Sequence, residues 1–188
     1  MSDVRQAEGV TLPPAGKYEI DATHSTVEFV ARYMMVSKVR GRFTDFSGMI
    51  EVADRPEDSS LQVEIKAASV QSNVEKRDQH LTSGDFLEVE KYPVLTFTSA
   101  AVRRTGDAGF ELDGDLTIKD LTRPVTLIGE FLGAGFDMQG EPVFGASAKT
   151  TIEREDWDVT WNMALETGGV LVGKSIDIEI EVEARKVG

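Results

Sequence analysis

Apolar and polar residues alternate with a period of two along most of the chain. The plainest run is Ile176, Ile178, Ile180, Val182 and Ala184, interleaved with Asp177, Glu179, Glu181 and Glu183. Side chains of a strand point to opposite faces in turn, so this pattern predicts a strand with one apolar face and one acidic, solvated face. The same alternation recurs at Val27, Phe29, Ala31 and Tyr33, and at Leu61, Val63, Ile65, Ala67 and Ser69. It returns at Leu95 and Phe97, at Phe110, Leu112, Gly114, Leu116 and Ile118, at Val125, Leu127, Gly129 and Phe131, and at Phe144, Ala146, Ala148, Thr150 and Ile152. Turn-forming clusters separate these runs: Asp54-Arg55-Pro56, Thr105-Gly106-Asp107, Thr122-Arg123-Pro124, Gly133 to Gly140, and Gly168-Gly169. Many short strands with one wet face predict an antiparallel all-β domain, a barrel or a sandwich.

Three stretches depart from the rule. Residues 74–88 have helix-forming composition with no β-branched run, and Gly84 is the expected stop. Tyr33 to Val39 reads as a short helical or bulged connection, and Gly135 to Pro142 as a loop. Gly9 and the Pro13-Pro14 pair mark residues 1–15 as a flexible leader, with a single domain over 16–188.

The inward-facing set mixes small residues (Ala31, Ala67, Ser69, Gly114, Gly129, Ala146 and Ala148) with phenylalanines. A closed sheet of about eight strands has room for one ligand when its inward side chains are small. Equally, small residues ease strand bends and close packing. Periodicity alone leaves a hollow and a filled interior both open.

Composition narrows the classes. The 188 residues carry 33 Asp+Glu against 20 Lys+Arg, a formal charge of −13, which argues against nucleic-acid binding and against adsorption to anionic lipid surfaces. There is no Cys, so disulfides and thiolate chemistry are out, and only His24 and His80 could join carboxylates around a transition metal. No apolar run approaches the ~20 residues that span a bilayer, which excludes stable membrane insertion by a helix. With no apolar h-region near Met1, a cytoplasmic location is expected.

Candidate chemistry is sparse. Asp21-Ala22-Thr23-His24-Ser25 brings together the residue types of a hydrolytic triad, without a strand–elbow–helix context to expose a nucleophile; a turn with local backbone bonds is the simpler reading. In Arg77-Asp78-Gln79-His80-Leu81, Arg77 and His80 fall on one helical face and could meet a phosphate, carboxylate or phenol. Alternatively, Arg77 and Asp78 tie the helix to neighbouring strands. Lys38, Arg40 and Arg42 form a small basic stripe, suited to an anionic head group or to balancing nearby acids. Trp157 and Trp161 are placed to close a barrel end.

Together these landmarks resemble the polyisoprenoid-binding YceI-like family. The likeness rests on Asp21-Ala22-Thr23-His24-Ser25 leading into Val27-Glu28-Phe29, on Met35 to Phe43, and on Arg77-Asp78-Gln79-His80-Leu81 through Asp85-Phe86. It continues in Lys91-Tyr92-Pro93-Val94-Leu95-Thr96-Phe97, Gly114 to Ile118, Thr122-Arg123-Pro124-Val125, and Gly168 to Gly173. The resemblance implies a lipocalin-like extended antiparallel β-barrel with a short helix near one end. It further implies non-enzymatic binding of a long-chain isoprenoid lipid, such as a polyprenyl phosphate or quinone-like lipid, in an elongated apolar cavity. Tyr33 stands where relatives often have His, and Asp120 and Asp158 where they usually have Gly.

On this reading Phe29, Ala31, Phe43, Leu81, Phe86, Phe97, Leu116, Phe131 and Phe144 are expected to meet the chain of the lipid. Arg77 and His80, with Tyr33 nearby, are expected at its polar end. The lipid is the expected partner, with no metal and no cofactor. A homodimer is compatible with this reading, since open strand edges call for cover. Two other functions remain open at this level: an enzyme acting on a prenylated or quinone substrate through His80 or His24, and an interaction module whose barrel is packed shut.

Overall fold

Strands form over the alternating runs and reverse at or near the turn clusters. The computed structural model describes residues 5–7 and 10–188. In chain order the strands are β1 (Arg5–Ala7), β2 (Val10–Leu12), β3 (Gly16–Ile20), β4 (Thr26–Tyr33), β5 (Ser37–Phe43), β6 (Phe46–Val52), β7 (Ser60–Lys66) and β8 (Val70–Gln71). Among the described residues a single α-helix, α1 (Glu75–Thr82), precedes β9 (Val94–Arg104), β10 (Gly109–Ile118), β11 (Leu121–Phe136), β12 (Pro142–Glu153) and β13 (Val172–Val187). Short 3-10 turns cover Pro56–Asp58, Ala67–Ser69 and Arg154–Trp157.

These segments make eight antiparallel rods. β3 and β4 are the two halves of one rod, β5 and β6 of the next, and β7 and β8 of the third; β9 to β13 supply the other five. Each rod pairs with its successor, and β13 closes the ring by pairing with β12 on one side and with β3 and β4 on the other. The result is a closed eight-stranded antiparallel barrel with one short helix. Closure gives every rod two neighbours, although residues 121–127 of β11 pair only with β10, and β8 only with β5.

The first rod breaks between β3 and β4, and the break is stitched from its own sequence. β13 pairs with β4 up to Glu181 and with β3 from Ala184. Between them, Glu183 N–H donates to Ser25 Oγ at 2.9 Å and Asp21 N–H donates to the Glu183 carbonyl at 2.9 Å. Ser25 Oγ also donates to that carbonyl at 3.3 Å. Backbone groups that lose ladder partners are thereby satisfied, as burial requires.

Several elements differ from the expectations above. The run from Leu61 is a strand only to Lys66; Ala67–Ser69 turns as a 3-10 helix that buries Ala67. The helix ends at Thr82, because Ser83 takes an extended conformation and its hydroxyl donates to the His80 carbonyl at 2.7 Å; Gly84 is not the stop. Between Tyr33 and Ser37 the chain makes a tight turn, with Met34 and Met35 at positive φ, rather than a helix. β11 runs through Pro124, where β10 is its only partner: pairing with β12 begins at Ile128. A proline is tolerated there because no second ladder needs its missing N–H. Of the leader, residues 1–4 and 8–9 lie outside the described residues, while β1 and β2 pair as a small hairpin.

Because rods alternate in direction, their connections fall at two opposite ends. One end carries the turn at 34–36, α1 and the segment 154–171; the other carries residues 10–15 and the turns at 53–59, 105–108 and 137–141. The first is called the capped end below, and the second the open-turn end.

Candidate functional site

The barrel is hollow. A cavity of about 420 Å³ runs between its walls, lined by the inward-facing residues of the strands and overwhelmingly by aliphatic and phenyl groups. This settles the hollow-or-filled question, but the glycines play a different part from the one expected. A methyl group at Gly129 would fall 2.2 Å from Phe110 Cζ, one at Gly41 2.2 Å from Phe29 Cζ, and one at Gly114 2.3 Å from Phe97 Cζ. At each glycine the end of a phenyl ring from the neighbouring strand occupies the space that a side chain would take, so the ring need not extend that far toward the axis. The room inside is thus made jointly by small residues and by the aromatics they accommodate.

The two ends are closed differently. At the open-turn end Val10, Leu12 and Pro13 join the lining, and the buried Tyr18 hydroxyl donates to the Pro14 carbonyl at 2.8 Å. Tyr18 packs edge-on to Phe144 at 5.1 Å between ring centroids. At the capped end Leu81, Phe86, Leu87 and Val159 form the floor. Behind it His80 stands edge-on to Trp161 (4.6 Å) and to Phe86 (5.0 Å), and Trp157, 2% exposed, donates from Nε1 to the Leu116 carbonyl at 3.0 Å. Both tryptophans therefore belong to this cap.

Of the residues expected at the site, nine lie in the cavity wall: Phe29, Ala31, Phe43, Leu81, Phe86, Phe97, Leu116, Phe131 and Phe144. Tyr33, Arg77 and His80 do not. Tyr33 is 38% exposed at the end of β4. Arg77 donates from Nε to Ser72 Oγ at 2.7 Å and from Nη2 to the Ser72 carbonyl at 2.9 Å, while Asp78 Oδ1 accepts from Ser72 N–H at 2.7 Å. This network fastens α1, which buries none of its own residues, to the end of β8. His80 Nε2 lies 2.7 Å from Asp85 Oδ2, and His80 is not among the residues that line the cavity.

Sequence reasoning missed Arg154. It is 4% exposed and belongs to the cavity wall at the capped end. Its signal was present: Arg154 continues the inward phase of Ala146, Ala148, Thr150 and Ile152, a cation where the pattern calls for an apolar side chain. Its guanidinium donates from Nε to the Gly173 carbonyl at 2.9 Å, from Nη1 to the Val159 carbonyl at 2.7 Å and from Nη2 to the Val172 carbonyl at 3.4 Å. Burial pushes its pKa below the usual arginine range.

The polar groups near the first-rod break form a network of their own. His24 Nδ1 lies 2.9 Å from Asp21 Oδ2 and 3.7 Å from Glu183 Oε1. The His24 hydrogen bond and the Thr23 N–H hold the Asp21 carboxyl below its ordinary pKa; Asp21 in turn raises that of His24. Ser25 bonds to the Glu183 backbone rather than to His24, so no Ser–His pair is formed. Asp21, His24 and Glu183 offer three metal-type ligand atoms within 4.8 Å, but Arg185 Nη2, 3.4 Å from Asp21 Oδ2, already supplies a cation. Of the basic stripe, Arg40 pairs with Glu179 at 2.9 Å and Arg42 with the Gln71 amide oxygen at 3.2 Å.

Known proteins share this architecture. The chain is 37% identical over 169 residues to a UPF0312 protein of Staphylococcus aureus, covering 88% of this chain and 95% of the relative. It is 35% identical over 175 residues to a UPF0312 protein of Pseudomonas putida, covering 92% and 88%. The crystal structure of the Campylobacter jejuni YCEI protein superposes with a TM-score of 0.70 at 30% identity, over 84% of this chain and 90% of that one. A polyisoprenoid binding domain from Saccharophagus degradans shares the fold, with a TM-score of 0.68 at 14% identity over 90% and 98%. The YceI-like domain description matches residues 18–184, and the chain belongs to that family.

Proposed function

We propose that this barrel binds a long-chain isoprenoid lipid in its cavity, as a non-enzymatic carrier, store or sequestering protein. The observation that carries this reading is the almost wholly apolar cavity of about 420 Å³ between the barrel walls. Burying a hydrocarbon chain there is favourable by roughly 0.8 kcal/mol per CH₂ taken from water, before the cost of ordering the chain. A branched prenyl chain suits walls built of seated phenyl rings and aliphatic side chains. The shared fold of the Saccharophagus degradans domain supports the same ligand class. His24 and His80 are each engaged by a carboxylate outside the cavity, which favours binding over turnover.

Organic extraction and mass spectrometry of protein purified without detergent test the reading. A co-purified prenyl lipid, or a rise in Tm on adding geranylgeraniol, is expected. Recovery of no prenyl lipid together with an unchanged Tm would overturn it.

A further inference from the structure

The cavity wall carries charge at both ends, and the two ends differ. At the open-turn end it includes both Arg104 and Asp107, one charge of each sign. At the capped end it includes Arg154, whose three partners are neutral backbone carbonyls. No carboxylate of the described residues stands within ion-pair distance of that guanidinium. A guanidinium has five N–H groups, of which three are used here, leaving one on each Nη.

Fastening the start of β13 to the cap does not require a full charge; an amide could donate to the same carbonyls. Burying a cation is costly and is ordinarily offset by an anion or by extensive hydrogen bonding; the one carboxylate that acts on Arg154, Glu155, is itself held by Lys174 at 3.1 Å. Two spare N–H groups in a low-dielectric chamber are suited to an oxyanion, because a charge-assisted bond there is stronger than in water. Apart from Arg104 and Asp107 at the other end and Glu28 on β4, the lining carries no further charge, so an anion held at Arg154 would be the end of an amphiphile.

We infer that Arg154 receives the anionic head group, a phosphate monoester or a carboxylate, of a single-chain lipid lying head-inward at the capped end. This rests on the proposed lipid-binding reading and adds to it the residue that meets the head group and the orientation of the lipid. The tail then runs along the barrel toward Val10, Leu12 and Pro13, where the wall is again apolar.

Titration of the full chain with geranylgeranyl monophosphate, geranylgeraniol and palmitate separates the two ideas. At least tenfold tighter binding of the phosphate than of the alcohol is expected. Arg154→Met should lower phosphate affinity to that of the alcohol while leaving the alcohol unchanged, and Arg154→Lys should retain part of the preference. The wild-type ratio needs no variant, so the test stands even if Arg154→Met fails to fold. In ³¹P spectra, the bound phosphate should be shielded from broadening by a soluble nitroxide. Equal binding of phosphate and alcohol, or full exposure of the bound phosphate, overturns the head-group inference while leaving lipid binding intact. Binding of palmitate but of neither prenyl compound keeps the anion site and overturns the isoprenoid reading. Binding of none of the three overturns both.

Discussion

Phe110 lies against Gly129, its directly paired neighbour across β10 and β11, so closely that one methyl group at position 129 would meet three atoms of the ring within 2.8 Å. The glycine is required here by the approach of a neighbour and not by its own backbone. Gly129→Ala is therefore expected to push the ring off the wall and toward the axis. Overpacking of this kind costs about 1–3 kcal/mol, read as a lower Tm. Prenyl-lipid uptake should fall with it; unchanged uptake would show that the ring can tip elsewhere.

Ser25 supports the break in the first rod almost alone. Its hydroxyl accepts from Glu183 N–H and donates to the Glu183 carbonyl. Ser25→Ala leaves a buried backbone donor without its partner, at a cost of about 1–3 kcal/mol, or several degrees in Tm for a domain of this size. Hydrogen exchange at the Glu183 amide should accelerate more than at Ile180, whose ladder partners are untouched.

Ser72 is the shared partner of Arg77 and Asp78. With no buried residue of its own, α1 depends on this attachment. In Ser72→Ala, amides of residues 78–82 should lose exchange protection while those of β10 and β11 keep theirs. Arg77→Gln should produce a milder version of the same pattern. Protection of α1 unchanged in both variants would mean that the cap is held by Leu81 and Phe86 alone.

The Asp21–His24 pair predicts a pH window. Asp21 is depressed below 3.8, so its contribution is present above that value and lost as pH falls through the folded-state pKa. His24 is raised above 6.5, so its contribution is full below 6.5 and lost as pH rises through its folded-state value. The difference in Tm between the protein and His24→Gln should peak between those limits, near pH 5, and shrink on both sides. A difference that grows toward pH 8 would contradict the assignment.

Strand faces were legible in the sequence because a wet exterior and a greasy interior impose period two on every rod. Ile176 to Ala184 could be read directly, as could Phe29, Ala31, Phe97, Leu116, Phe131 and Phe144 of the wall; Leu81 and Phe86 lie on α1 and just after it, where no strand phase applies. Interruptions were less legible. Nothing in Leu61 to Ser69 marks the turn after Lys66, where the backbone bends so that the third rod can meet β5 through Val70 and Gln71. Pro124 reads as a turn residue unless it is known that β12 does not reach it. Arg77 and His80 attracted attention by residue type, whereas the buried cation is Arg154, identified by its phase in β12 and overlooked because charge suggests a surface.

Ring closure also sets the order of assembly. The bonds between Ser25 and Glu183 span 158 positions, and β13 is the only rod that joins β12 to β3 and β4. Seven rods can zip as successive hairpins, but the seal waits for the eighth, so the slow step is a long-range search. Until it succeeds, a growing or refolding chain presents two raw sheet margins and a splayed greasy trough. A version lacking β13 should gather into aggregates rather than persist as a smaller barrel.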